Sequence, residues 1–454
     1  MGRRSRTPTR KNYIEMSSYQ KDPALSAHSK RVNYIAMGCL IFLGPIIVVC
    51  LWHTIVNLDG SALNMWKYWK TYNFEGVRKI WPMPSFYACK LIVFFAVFEA
   101  LLQVYVPGER HIGIVSPTGN RPMYKKNGFT CCVITIFVYY FAYKEKHFNP
   151  AGVYDHLGEI YSALIVISMI VCCLVYLKGH TYPSSTDWGS CGNPLIDFYW
   201  GMELYPRIGR DFDLKLYFIS RFGMMSWACL VISFVIKQWE QKGKVADSMF
   251  VSSVLQLAYI FKFFWWEGGY LNTLSMMHDR AGFYTIWGAM VWLPAVYSSP
   301  VLYLVQHPVQ LGRWVSIYVF FAGLLCIYTQ YSIDWQRQEF RETHAKARVW
   351  GINPVKIQAH YVTEKGEHKQ TLLLASGWWG LARHVHYIFE IGSCFFWSIP
   401  ALFTHTSPYF FLLFLTFFLV DRVERDDRRC KAKYMKFWDI YRKKVPNKII
   451  PLIY

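Results

Sequence analysis

The apolar residues of this chain are gathered into long unbroken runs, among them 34–56, 85–106, 247–266 and 281–305. A surface helix shows apolar residues only three and four apart, whereas these runs are apolar around the whole circumference and close to the ~20 residues that cross a ~30 Å hydrocarbon layer. Matching the chain to that length predicts ten crossings, near 34–56, 84–106, 128–143, 159–177, 222–237, 247–266, 281–305, 314–332, 387–403 and 407–420. Residues 404–408 divide the last apolar block, because one helix from 387 to 420 would far exceed the membrane. Composition agrees: of 454 residues 54% are hydrophobic and only 17% charged, below the ~25% of soluble domains. The expected fold class is therefore all-α, a polytopic membrane protein, and disorder, collagen and coiled coil are excluded.

Charge sets the orientation. Residues 1–32 hold eight Lys/Arg against two acids, and residues 421–454 hold eleven against five, so both ends are expected in the cytoplasm. That parity requires an even number of crossings. The polar stretch 334–383, with eight more Lys/Arg, falls on the same side. Three parts follow: a basic tail at 1–33, helices 1 to 8 across 34–332, and 333–454 with a polar loop, two last crossings and a C-terminal segment. The net charge of +20 is read as contact with anionic lipid rather than nucleic acid. Most of the twelve cysteines sit inside apolar runs, and no CxxC pair occurs, so no disulfide framework is expected. Oligomeric state is not legible.

An ionisable group at membrane depth costs roughly 3 kcal/mol unless paired or wetted, so each one marks a functional hypothesis. Lys90 and Lys262 lie near helix ends and are expected to snorkel. Glu99 and Glu390 are expected to be satisfied by neighbouring helices. Glu267, His278 and Asp279 surround the loop that follows the aromatic block Phe263-Phe264-Trp265-Trp266, and a shared pocket is expected there.

The C-terminal third suggests a second site. Asp426, Cys430, Tyr434 and Tyr441 stand at offsets that fall within one arc of a single helix. Arg337 and Arg341, four apart, project together from the helix leaving crossing 8. With Lys431, Lys433 and Arg383 they predict a basic, aromatic-lined cavity, and guanidinium forks match phosphate oxygens. No GxGxxG or GxxxxGK[ST] is present, so any nucleotide is held without a Rossmann or P-loop fold.

Several segments carry a resemblance: Gly201-Met-Glu-Leu-Tyr-Pro-Arg-Ile-Gly209, His278-Asp279-Arg280-Ala281-Gly282-Phe283, Ser376-Gly-Trp-Trp-Gly-Leu-Ala-Arg-His384, and Arg425-Asp426 through Cys430 to Lys433-Tyr434. In this order they resemble the sterol reductases, over about 40–454. Tyr199-Trp-Gly-Met-Glu203, Arg221-Phe-Gly-Met-Met-Ser-Trp227 and Phe263-Phe-Trp-Trp-Glu267 look most like the Δ7-reductases, particularly those of plants. Met435 stands where the family usually has Gly.

The resemblance implies a ten-helix endoplasmic reticulum enzyme, with NADPH as cofactor and a ring double bond of a membrane sterol as target. Its NADPH contacts would be Arg337, Arg341, Leu374, Trp379, His386, Tyr387, Asp426, the segment Cys430, Lys431, Ala432, Lys433 and Tyr434, and Tyr441. The sterol pocket would lie among the first eight crossings. A Δ5,7-diene takes up a hydride only when it is protonated first or concurrently, so a general acid in a dry site is required. Glu267, His278, Asp279, Tyr284 and Tyr387 are the five candidates. The rivals are a Δ14-reductase, a methyltransferase using S-adenosylmethionine, and a sterol-binding protein without catalysis. No metal is expected.

Overall fold

The computed structural model describes residues 27–116, 118–209, 211–362 and 368–454; side chains of 27–33 and of Leu274 are outside the description. The expected basic tail at 1–33 thus falls mostly outside the described residues. The chain is built from long helices: α1 (Ala27–Asn57), α2 (Phe86–Tyr105), α3 (Gly128–Lys144), α4 (Leu157–Thr181), α5 (Leu214–Lys242), α6 (Asp247–Trp265), α7 (Phe283–Gln306), α8 (Arg313–Glu342), α9 (His386–Ser398), α10 (Phe410–Tyr434) and α11 (Lys436–Lys444). Among the described residues seven of them (α1, α2 and α4 to α8) are long and apolar enough to cross a membrane, and the protein is a multi-pass membrane protein. The expected break between the last two apolar runs is present as two short 3-10 turns, Ile399–Ala401 and Ser407–Tyr409.

Two sets of loops alternate along the chain. On one face, Gln306 donates to the carbonyl of Val56 (3.1 Å), Ser407 to that of Gly60 (2.8 Å), Lys237 pairs with Asp155, and Leu311 N donates to Asp247 (2.9 Å). On the other, Arg207 donates to the carbonyl of Met123 (2.6 Å), Asn120 to Asp187 (2.6 Å), Lys215 to the carbonyl of Met276 (2.8 Å), and Arg422 to Ser275 Oγ (3.1 Å). The loop between α6 and α7 therefore shares a face with the C-terminal segment.

Three differences from the sequence reading matter for function. Crossing 5 begins at Leu214 rather than 222, so it gains two further charged residues, Lys215 and Arg221, both fully buried. Tyr217–Met224 of α5 and Gly288–Tyr297 of α7 are π-helical, the second around Pro294, which cannot donate to the regular ladder. These wide turns pack on each other so closely that a Cβ at Gly223 would stand 2.7 Å from the carbonyl oxygen of Ala289. Finally, the helix carrying Asp426 ends at Tyr434, and Met435 (φ 48°, ψ −121°) turns the chain into α11. Tyr441 is therefore on a separate helix.

Among the described residues three hairpins lie outside the helices: β1 (Glu109–Ile112) with β2 (Met123–Lys126), β3 (Arg207–Ile208) with β4 (Phe212–Asp213), and β5 (Lys356–Val362) with β6 (His368–Leu374). The last pairs antiparallel from Lys356 opposite Leu374 to Val362 opposite His368. Its Ile357 joins Trp438, Tyr441 and Val445 in a small core that fastens α11 to the hairpin.

Candidate functional site

Arg337 and Arg341 occupy one face of the last two turns of α8, as their spacing predicts. Arg337 pairs with Asp334 (3.2 Å) and its guanidinium lies 4.2 Å from the Trp379 ring centroid. The Trp379 indole is held by its own donation to the carbonyl of Ile333 (2.9 Å), and Leu374 is buried in the same apolar cluster. Arg341 is different. It is accessible to solvent and within electrostatic reach of Arg337, Tyr434, Cys430 and Tyr441, yet among the described residues no carboxylate pairs with it. Two guanidiniums one turn apart with only one carboxylate between them form a site that calls for an anion.

The walls of this recess come from α9, α10 and α11. Tyr441 donates to the carbonyl of Trp379 (3.4 Å). His386 is buried 5.1 Å from the Trp379 ring and 4.3 Å from that of Tyr387, and its Nδ1 is buried without a partner. Asp426 pairs with Arg429 and lies 3.5 Å from Nε2 of His384. Burial pushes the His384 imidazole down to about 4 against the opposing pull of Asp426, so it is neutral. Burial likewise raises the Cys430 thiol to about 12, which makes it a protonated wall rather than a nucleophile. Lys433 lies 4.4 Å from the Tyr361 ring centroid, while Lys431 and Ala432 point outward, Lys431 toward Asp439. An orphaned buried nitrogen, an uncompensated guanidinium and stacked aromatic faces suit a phosphorylated dinucleotide.

Arg383, expected in the cavity, is instead buried beneath it. It donates to the carbonyls of Val445 (2.8 Å) and Pro446 (2.9 Å) and pairs with Asp427 (3.5 Å). Its side chain therefore fastens the C-terminal segment to the loop that positions His384, His386 and Tyr387.

The five acid candidates do not share one pocket. Glu267 faces the α3 side, where it pairs with Arg221 (2.7 Å) and accepts from the backbone N–H of Gly128 (2.7 Å). Arg221 donates further to Asn127 (2.8 Å) and Ser220 (2.6 Å). Gly128 is required here, since a Cβ would stand 2.5 Å from the guanidinium and 2.7 Å from the carboxylate. His278 is instead within electrostatic reach of Arg429 and Lys433, and burial with those cations pushes its imidazole down to about 3. Asp279 follows it in a loop fixed by Lys215, whose ammonium donates to the carbonyls of Ser275 (3.2 Å), Met276 (2.8 Å) and Asp279 (2.8 Å).

Arg422 joins the two halves of the site. Besides bonding Ser275, it is within electrostatic reach of Tyr387, Asp279, Tyr284 and Asp426. The Tyr284 ring lies tilted, 5.1 Å from Trp200 and 6.0 Å from Tyr199, an aromatic wall for an apolar ring system. Sequence reasoning did not single out Arg422 or Lys215. Lys215 was hidden by the misplaced start of crossing 5; Arg422 read as one more base in a basic segment, with no local signal to set it apart.

Comparison with known proteins bears on this arrangement. The ergosterol biosynthesis ERG4/ERG24 family matches residues 32–454. The chain is 54% identical over 95% of its length to the whole of a 7-dehydrocholesterol reductase of Arabidopsis thaliana. It is 30% identical over 92% of its length to 93% of the Xenopus laevis 7-dehydrocholesterol reductase. A Delta(14)-sterol reductase of Methylotuvimicrobium alcaliphilum is 32% identical, covering 90% of this chain and 92% of the relative.

Proposed function

The chain belongs to the ergosterol biosynthesis ERG4/ERG24 family, and from that premise we propose that it reduces the C7=C8 double bond of Δ5,7-sterols with NADPH as reductant. The observation that carries this reading is that Arg422, which bonds Ser275 beside His278 and Asp279, is within electrostatic reach of Asp279, Tyr284, Tyr387 and Asp426 together. A group able to give up a proton and the wall of the recess proposed for the cofactor thereby meet at one cation.

NADPH, when bound, supplies a hydride. Arg337 and Arg341 would hold its phosphates, Trp379, Tyr434 and Tyr441 would flank its rings, and the N–H or lone pair of His386 Nδ1 would gain a partner. The protein's own task is the proton. Delivered to C8 of the diene, it leaves positive charge at C7, allylic to C5=C6, and hydride addition at C7 gives the Δ5-sterol. Neutral His278 is no imidazolium donor, and both contacts of Glu267 are with donors, which suits a structural carboxylate. Asp279, Tyr284 and Tyr387 remain. Arg422 stabilises the anion left on whichever gives up the proton, and the apolar walls exclude water that would quench the cation.

We place ten crossings in the endoplasmic reticulum membrane, with both ends in the cytoplasm. The alternation of the two loop sets supports the parity, with α3, α9 and the apolar half of α10 as the three shorter crossings, and the basic ends support the orientation. The sterol is taken from the bilayer.

The test is NADPH-dependent loss of conjugated-diene absorbance from 7-dehydrocholesterol in membranes that contain the protein. A Δ14-reductase is the second reading, favoured by the Delta(14)-sterol reductase relative at 32% identity. Persistence of the diene with consumption of a Δ14-sterol would establish it instead. Consumption of neither sterol, with saturable binding of both, would point to sterol binding without catalysis.

A further inference from the structure

A lateral recess of about 540 Å³ opens between α6 and α8, a volume within the ~300–1,000 Å³ of small-molecule sites. Val254, Leu257, Phe261 and Trp265 of α6 and Tyr331 of α8 line it, and Lys262 is its one charged group. None of the proton-donor candidates takes part. From Trp265 to Val254 the apolar stripe descends ~16 Å along the helix, starting at the end of α6 that shares a face with the cofactor recess.

Lys262 does not snorkel toward the water as a lysine near a helix end is expected to do. Its ammonium turns inward and donates to Gln330, over the Tyr259 ring at 4.3 Å. Gln330 donates to Asp334 (3.5 Å), and Asp334 accepts from Arg337 (3.2 Å). A continuous chain of side chains thus leads from the floor of the recess to the guanidinium that lies over Trp379. Behind it, Tyr259 donates to Glu390 (2.6 Å), whose second oxygen is buried without a partner.

We propose that this recess holds a sterol distinct from the one being reduced, with its 3-hydroxyl on Lys262, and that its occupancy weakens NADPH binding. The choice of occupant rests on the sterol chemistry proposed above. A donor-only ammonium at headgroup depth selects an acceptor, and a long apolar stripe flanked by flat aromatic faces suits a rigid ring system, which loses less conformational freedom on binding than two acyl chains do. The direction follows from charge. When the hydroxyl draws Lys262 toward the recess, Asp334 loses a neighbouring cation and holds Arg337 more tightly, leaving it less free for phosphate. By linkage the cofactor weakens sterol binding in return.

The experiment uses the full-length protein in phosphatidylcholine nanodiscs with and without cholestanol, which has no double bond to reduce. A photoreactive diazirine sterol maps the site by mass spectrometry, and NADPH affinity is read by fluorescence titration. Expected are cross-links at Phe261, Trp265 and Tyr331 that cholestanol suppresses, and a rise in NADPH Kd of about fivefold. Ala258→Trp, which adds bulk to the lining of the recess, should abolish both while leaving NADPH affinity in sterol-free discs unchanged. Cross-links absent from α6 and α8, or not suppressed by cholestanol, overturn the site; an NADPH Kd indifferent to cholestanol overturns the coupling. Turnover of 7-dehydrocholesterol in the same sterol-free discs separately tests the reductase reading, since neither binding measurement requires it.

Discussion

Arg221 and Arg341 stand in one molecule under opposite electrostatic conditions. Arg221 is 0% exposed and Glu267 1%, and the pair is closed by Asn127, Ser220 and the N–H of Gly128. Arg341 faces a recess with another guanidinium beside it and no carboxylate of its own among the described residues. Apart from the buried Nε of Arg221, which has no partner, this pair is satisfied from within the chain, and removing either member leaves the other stranded. A charge left without its counter-ion is held at a cost in self-repulsion, which a bound anion relieves. The comparison separates structural from ligand-binding arginines by what surrounds them, although the residue type is the same.

The largest effect that would break this contrast is on folding. Arg221→Ala should destabilise the protein by about 3–5 kcal/mol, read as a fall in thermal midpoint in detergent or loss of folded protein. Arg221→Met with Glu267→Leu should recover much of that loss, because the stranded carboxylate is removed with its partner. A double variant no more stable than the single one would show that the pair is more than structural.

Next in size, Arg341→Ala should leave the thermal midpoint nearly unchanged and weaken NADPH by about 1.5–3 kcal/mol, the range of hydrogen bonds to charged groups. Titration of the cofactor reads this directly. If instead Arg341→Ala unfolds the protein and Arg221→Ala does not, the assignment of roles is reversed.

A smaller effect sharpens the picture through pH. His384 is held neutral with its folded value at about 4, below the ~6.5 of a free imidazole. The unfolded chain therefore binds a proton that the folded one refuses; stability is full above about 6.5 and is lost as pH falls toward 4. His278 acts in the same direction. His384→Gln should flatten, without abolishing, the decline of the thermal midpoint between pH 6.5 and 5; an unchanged slope would contradict it.

The smallest effect concerns the hinge between α10 and α11. Met435 adopts φ 48° and ψ −121°, a conformation open to glycine and strained for other residues. Met435→Gly should raise stability by about 1 kcal/mol with NADPH affinity retained. The glycine usual at this position in the resembling family has its reason in that backbone angle.

What the sequence determined by itself is everything governed by local chemistry. Apolar runs of membrane length fix where helices lie, because an unsatisfied backbone in hydrocarbon costs several kcal/mol and helices satisfy their own. A four-residue spacing put Arg337 and Arg341 on one face of α8 before any packing was known. What only the tertiary structure decided is which charges already have partners. Glu267 and Asp279 are twelve positions apart and were indistinguishable as acids. One meets Arg221, forty-six positions earlier in the chain, and the other lies within reach of Arg422, far later. Burial and charge pairing depend on neighbours brought together by folding, and those long-range contacts leave no periodicity to be read along one chain.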